Sequence, residues 1–309
     1  MSAVPPAARE AILAWYGEHG RPLAFRQTSD PYAILVSETM AQQTQAARAA
    51  GHWHRFMERF PTVASLAAAT PADVLRAWQG LGYDRRGLAL WRSARVVVEQ
   101  YGGRIPSSVA ELQALPGIGP YTARALAAIA FGQRVGAVDV NVRRVLGRIV
   151  AGTSALELSP GALQRLADEA VPPDRPGDWT HALMDVGATL CRPRDPRCAS
   201  CPARPWCKLD AQVSAQPPTQ AASVSRRARR AGQPPRTPFA STNRWLRGRI
   251  LDRLRAADDG RWVTLDSAIG SHGPDRVTAA ADAMAADGLL ELRISGEPPW
   301  TLQARLPLA

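Results

Sequence analysis

All four cysteines of this chain fall between Cys191 and Cys207, in the spacing C-x6-C-x2-C-x5-C. A secreted disulfide framework spreads its cysteines along the sequence, so a tight group of four thiols reads as a set of metal ligands. Four thiolates can close a cubane [4Fe-4S] cluster or a tetrahedral zinc site with no further ligand. Zinc ribbons more often carry two separate short pairs. Here one short pair is flanked by longer, unequal arms, which favours iron. Four buried thiols without a ligand are the third possibility, and the tightness of the group speaks against it. Between the ligands stand Arg192, Arg194, Arg197 and Arg204. They could present positive charge to phosphates, or be no more than a solvated face.

The formal net charge is +11 over 309 residues, which favours a polyanionic partner because clustered arginines displace counterions from a phosphate backbone. A general arginine bias is the bland alternative, and it has weight because Lys208 is the only lysine. No run approaches the roughly 18 apolar residues of a membrane span, and the first residues lack a basic stretch followed by an apolar one. The expectation is a soluble cytoplasmic protein without a membrane partner.

Residues 1–208 read as nearly continuous helix, with helical spacing, glycine stops and no alternating strand pattern. Thr70, Pro71 and Asp73 form a helix start, Asp84 to Tyr101 a helix closed by Gly102 and Gly103, and Tyr121 to Phe131 a buried helix closed by Gly132. From Ala211 the composition turns to Pro, Gln, Ser, Ala and Arg, so 209–243 reads as a basic flexible linker. In 244–309, helix Trp245–Arg255, strand Trp262–Leu265, helix Asp275–Ala286 and a hairpin from Leu289–Ile294 and Trp300–Ala304, turning at Ser295–Pro299, succeed one another. That order suggests a small winged-helix-like module, although a helical cap with a hairpin gives the same pattern.

Leu115-Pro116-Gly117-Ile118-Gly119 leads straight into the apolar helix at Tyr121. Its glycines allow a tight turn, and free amides at the helix start make an anion site, yet most such turns only join helices. Asp139 precedes Val140-Asn141-Val142-Arg143-Arg144, where an aspartate ordinarily caps a helix. A carboxylate in that position is also suited to face a developing cation. Glu38 has Ile34, Leu35, Ala41 and Gln42 as its helical neighbours. An exposed glutamate is the ordinary reading; an apolar setting would instead raise its pKa toward that of a proton donor.

The segments SETMAQQTQ (37–45), GLGY (80–83), LPGIGPYTA (115–123), VDVNVRRV (138–145), ALMDVGATLC (182–191) and the cysteine pattern stand in one order over about two-thirds of the chain. This set resembles the helix-hairpin-helix DNA glycosylases, and among them the adenine-DNA glycosylase (MutY) family. The resemblance implies a mainly α fold of two helical subdomains with a [4Fe-4S] loop ligated by Cys191, Cys198, Cys201 and Cys207. The implied domains are a glycosylase domain 1–208, the linker 209–243 and the winged-helix-like module 244–309. By the same resemblance Glu38 protonates the adenine ring and later helps activate water, Asp139 stabilises the cationic sugar, and Asn141 and Tyr121 line the pocket. Gln43 and Tyr83 match residues that wedge into the duplex, Thr44 lies beside them, Arg26 and Asp185 match pocket-side positions, and Gly117 and Gly119 grip phosphate. The partner so implied is duplex DNA carrying mismatched adenine, bound by a monomer.

A glycosylase that also nicks DNA normally forms a Schiff base through an amine. The residue after Gly119-Pro120 is Tyr121, and Lys208 sits beside a cysteine, so base removal without strong strand cleavage is expected. Ala41, Phe25 and Asp84 depart from the family's usual residues, and the module after the linker replaces the Nudix-like domain of many relatives. Rival readings are a thymine-mismatch or endonuclease III-like enzyme of the same fold, and a non-enzymatic iron–sulfur winged-helix DNA-binding regulator. Tyr121 argues against the lyase, and Gln42-Gln43-Thr44 argues less decisively for adenine over thymine.

Overall fold

Helix boundaries in the computed structural model, which describes residues 4–152, 159–214, 237–296 and 301–308, match the local signals of the sequence. In chain order the helices are α1 (Pro6–His19), α2 (Pro31–Ala41), α3 (Ala46–Arg59), α4 (Val63–Ala67), α5 (Pro71–Ala77), α6 (Arg85–Tyr101) and α7 (Val109–Ala114). Beyond them come α8 (Pro120–Phe131), α9 (Val140–Leu146), α10 (Pro160–Ala170), α11 (Pro176–Asp185), α12 (Lys208–Ser214), α13 (Asn243–Arg255) and α14 (Pro274–Ala286). Thr70 caps α5 by accepting the Asp73 N–H, and Gly102 and Gly132 end α6 and α8 in the left-handed conformation. Among the described residues no helix is long and apolar enough to cross a membrane.

The chain divides into two compact units, Met1–Glu38 with Ile105–Arg226, and Thr39–Arg104 with Arg227–Ala309. In the first unit Ile12, Leu13, Leu146, Leu163, Trp179 and Leu183 form the middle of a core to which α1, α9, α10 and α11 contribute. Helix α8 is buried along Thr122, Ala123, Ala125, Leu126, Ala127 and Ala128, as its all-round apolar character requires. Helices α9 and α11 each run on into a π-helical turn, Gly147–Ala151 and Val186–Leu190. Such wide turns redirect the backbone, and the second delivers it to Cys191, whose N–H reaches the Val186 carbonyl at 2.7 Å.

In the second unit the C-terminal residues share one core with α5 and α6. Ala72, Leu75 and Leu88 pack with Leu246, Ile250, Leu254, Val277, Met284 and Leu289. The strands β1 (Val263–Thr264), β2 (Glu291–Ser295) and β3 (Thr301–Arg305) form an antiparallel sheet in the order β1-β3-β2, with Val263 and Leu292 both opposite Ala304. The winged-helix-like order is therefore present. Where a middle helix would stand there is a turn closed by a bridge between Ile269 and His272. The expected linker starts late, because 209–214 belongs to α12, and it ends early, at a 3-10 turn Phe239–Ser241 that runs into α13. Its centre, with the run Arg226 to Arg230, and the hairpin turn at 297–299 lie outside the described residues.

Candidate active site

Helix α2 is buried on every side from Tyr32 to Met40, and Glu38, in its last turn, is only 6% exposed. The ordinary expectation of a solvated glutamate is thus corrected: a continuous apolar run with a single acid in it became a core helix. The Tyr121 hydroxyl, at the start of α8, donates to Glu38 Oε2 at 3.2 Å and lies 3.6 Å from Met184 Sδ. Burial pushes the Glu38 carboxyl up to about 7, with the charge of Asp139 adding to the rise and the Tyr121 hydrogen bond and Arg26 opposing it. The same two acids and burial hold the Tyr121 phenol well above its ordinary value, so it stays a donor.

Asp139 is the N-cap of α9, as its position predicts. Oδ1 accepts the N–H groups of Asn141 at 2.8 Å and Val142 at 2.7 Å, while Oδ2 accepts the Asn141 side-chain amide at 2.8 Å. Asn141 is held in turn by Arg144, which donates to its Oδ1 at 2.8 Å, to Gly187 O at 2.7 Å and to Cys191 O at 2.6 Å. Gly187 has to be small here, since a Cβ on it would stand 2.6 Å from the Asn141 Cβ. The structure thus gathers Glu38, Tyr121, Asp139 and Asn141 in one unit, with the two carboxylates within electrostatic range of each other and of the phenol.

Arg26 and Asp185 form a buried bidentate pair, both bonds 2.8 Å, and Arg21 adds its backbone N–H at 2.8 Å and its Nε at 2.7 Å to the same carboxylate. Burial alone would raise Asp185, but the hydrogen bonds and charge of Arg26 and Arg21 outweigh it and hold the carboxyl below the usual range. His181 beside them is pulled down to about 3 by burial and by Arg26, and is neutral. Of these groups it is Arg26 whose charge acts on Glu38, holding down the rise that burial causes.

In the second unit Gln43 (φ 57°) and Tyr83 (φ 51°) are two of the three non-glycine residues with left-handed backbone among those described. Such strain costs about 1–3 kcal/mol and persists where surrounding contacts impose it. Arg86 imposes it here. Its guanidinium donates to the carbonyls of Thr39 (2.9 Å), Met40 (3.2 Å) and Gln42, to Thr44 Oγ1 (3.2 Å) and to Gly82 O (3.0 Å), joining the loop before Tyr83 to the loop around Gln43. Gln43 and Tyr83 are both exposed, whereas Thr44 turns its hydroxyl to Arg86 and to the Gln42 carbonyl at 3.4 Å.

Residues 36–173 match the HhH-GPD superfamily of base excision DNA repair proteins. Over 299 residues the chain is 39% identical to the adenine DNA glycosylase of Mycobacterium tuberculosis, covering 92% of this chain and 90% of that protein. The chain belongs to the adenine DNA glycosylases. The human adenine DNA glycosylase is 40% identical over 230 residues, 71% of this chain and 42% of the longer human protein. A thermostable thymine-DNA glycosylase structure superposes with TM-score 0.62 at 30% identity, covering 66% of this chain and 95% of that one. An endonuclease III–DNA complex shares the fold, with TM-score 0.58 at 20% identity over 67% of this chain and 95% of that one.

In this adenine DNA glycosylase the hairpin at 115–119 closes through Ile118 N–H to Leu115 O at 3.1 Å, with Gly117 at φ 78°, a conformation that selects glycine. Gly119 has an ordinary φ of −84°, and a Cβ on it would meet no atom within 4 Å, so the space before the start of α8 is open. Asp84, one of the departures from the family's pattern, has a local explanation: it receives the Arg255 guanidinium, which also donates to Leu75 O at 2.9 Å. Phe25, another, is a core residue.

The four cysteines line one cavity of about 120 Å³, together with Arg148 and Leu190. Arg148, buried in the π turn after α9, donates to Cys191 Sγ at 3.4 Å and to Arg192 O at 2.9 Å. Among the described residues no three His, Cys, Asp or Glu side chains converge on a single-ion position. Four thiols around one cavity are a donor set that a [4Fe-4S] cluster can use without any other ligand. Burial lifts the Cys201 thiol to about 11 and raises Cys198 and Cys207, so such a group has protons to displace when it binds. Neither Arg86, Arg144 nor Arg148 stood out in the sequence. Their acceptors are mostly backbone carbonyls, which leave no pattern in residue types.

Proposed function

We propose that this glycosylase hydrolyses the N-glycosidic bond of adenine mispaired with 8-oxoguanine or guanine, and leaves the DNA backbone uncut. The observation that carries the reading is the buried Glu38, bonded to Tyr121, with a pKa raised to about 7 and Asp139 within its field. The target nucleotide leaves the stack first, because its glycosidic bond is out of reach inside a duplex. Glu38, in its protonated form, gives the proton to the adenine ring as the bond to the sugar breaks and adenine departs with the electron pair. Asp139, fixed by three N–H donors, faces the cationic sugar, and Glu38, now a carboxylate, takes a proton from the water that adds to the sugar carbon. Tyr121, where a Schiff-base enzyme of this type carries an amine, serves as a hydrogen-bond donor to Glu38.

Gln43 and Tyr83 are the residues proposed to enter the duplex, Gly117 and Gly119 with the amides of α8 to bind phosphate, and Arg26 with Asp185 to wall the pocket. Cys191, Cys198, Cys201 and Cys207 would hold a [4Fe-4S] cluster, which supplies a structural tie across the 191–207 loop. The proposed layout is a glycosylase domain that runs to the end of α12, a linker from there to the turn Phe239–Ser241, and a module from α13 onward, acting as a cytoplasmic monomer on duplex DNA. The test is single-turnover cleavage, with alkali treatment, of duplexes pairing adenine with 8-oxoguanine, guanine or cytosine, and thymine with guanine. Adenine release that Glu38→Gln abolishes while DNA binding persists supports the reading. Release of thymine alone supports the rival suggested by the 30% identity to a thymine-DNA glycosylase.

A further inference from the structure

The module 244–309 has the order of a winged helix, but its second helix does not suit the groove of DNA. The solvent face of α14 carries Asp275, Arg276, Thr278 and Asp282, with no excess of positive charge. The cations stand on α13 instead. Arg247, Arg249 and Arg255 each meet an aspartate, Asp287, Asp252 and Asp84 respectively. Arg244 meets none among the described residues. It is exposed, its guanidinium carbon lies 4.5 Å from the centroid of the Tyr83 ring, and its Nη1 is 3.4 Å from the Tyr83 hydroxyl. The second cation near that ring is Arg86, 5.6 Å from the centroid, whose two Nη groups are turned into the two loops.

The position of Arg244 is fixed by the body of the unit. Thr242 caps α13 by accepting the Trp245 N–H, and the helix is anchored through the core shared with α5 and α6. Arg255 reaches Asp84, Arg76 reaches Asp259 and the Ala257 carbonyl, and the Pro307 carbonyl takes the Ala72 N–H at 3.0 Å. So the module is docked at several separate points on the helices that carry Tyr83, and its first helix begins beside that residue. A planar cation held over an exposed, strained aromatic is a ready site for a phosphodiester next to a stacked base.

We infer that Arg244 is a DNA-contacting residue, which the C-terminal module places beside Tyr83 to bind a backbone phosphate next to the base step that Tyr83 enters. This rests on the proposed reading of Tyr83 as a wedge. It assigns the module a role in gripping the lesion through α13, and none in reading the groove through α14.

The experiment uses the full chain and a duplex in which the adenine opposite 8-oxoguanine carries a 2′-fluorine, which resists hydrolysis. Affinity is measured by anisotropy over a range of salt for wild type, Arg244→Ala, Arg244→Lys and Arg253→Ala, the last removing an equal charge from the same helix. Arg244→Ala is expected to bind about tenfold more weakly, with a salt dependence smaller by about one ion. Arg244→Lys should keep the salt dependence, and Arg253→Ala should match wild type. If Arg244→Ala melts early, Arg244→Gln, which retains the side-chain stem, takes its place. Equal affinity and equal salt dependence for wild type and the neutral Arg244 variants overturn the inference. Adenine release by wild type from the unmodified duplex is measured in parallel. Its absence counts against the glycosylase reading, while the affinity comparison still decides the Arg244 contact.

Discussion

Asp139 caps α9, and one substitution can separate that cap from the part proposed for it in base release. As N-cap it satisfies two backbone N–H groups of α9, and asparagine can do the same. Asp139→Asn is therefore expected to melt within about 1 kcal/mol of wild type while losing roughly a hundredfold or more in the rate of base release. Glu38 predicts the opposite trade. Its folded-state pKa of about 7 lies above the ordinary 4.5, so its contribution to stability is full below about pH 4.5 and is lost as pH rises through about 7. Denaturant titrations should show Glu38→Gln gaining on wild type across that window, by about 3 kcal/mol at the alkaline end. A constant difference between acid and alkaline pH would contradict the buried carboxyl. The cap at Asp139 was legible from an aspartate before an apolar and basic helix. The burial of Glu38 was not, because a glutamate next to Gln42 fits a solvated helix end equally well.

The start of α5, the glycine stops of α6 and α8 and the buried character of α8 could be read from local signals, and they place Tyr121 and Asp139 at helix beginnings. The loops around Gln43 and Tyr83 could not be read in that way. Their strained backbone depends on Arg86, whose partners are chiefly carbonyl oxygens that any sequence supplies. Lysine has one ammonium where Arg86 has a planar fork. Arg86→Lys should therefore weaken binding to mismatched duplex about tenfold or more, with base release slowed even at saturating protein. Binding as tight as wild type would show that the two loops hold their shape without the guanidinium.

At the scale of the whole chain, the C-terminal order of helix, strand, helix and hairpin was legible, but its attachment was not. Ala72, Leu75 and Leu88 are apolar positions that fit any neighbour, and only the fold shows that they share a core with Leu246 and Ile250. Asp84 is a bare departure from the family's pattern in the sequence, and its reason is the Arg255 guanidinium that the fold sets beside it. Arg255→Ala leaves that aspartate without its cation and should cost about 3 kcal/mol in denaturant unfolding, against little for the exposed Arg253→Ala. If a protonated, buried Glu38 starts base release, as proposed, the single-turnover rate of adenine excision carries its signature from about pH 5 to about pH 9. The rate should fall as pH rises through about 7, as the Glu38 carboxyl loses its proton, and vanish in Glu38→Gln. A rate that is level across this range, or one that survives in Glu38→Gln, contradicts the account.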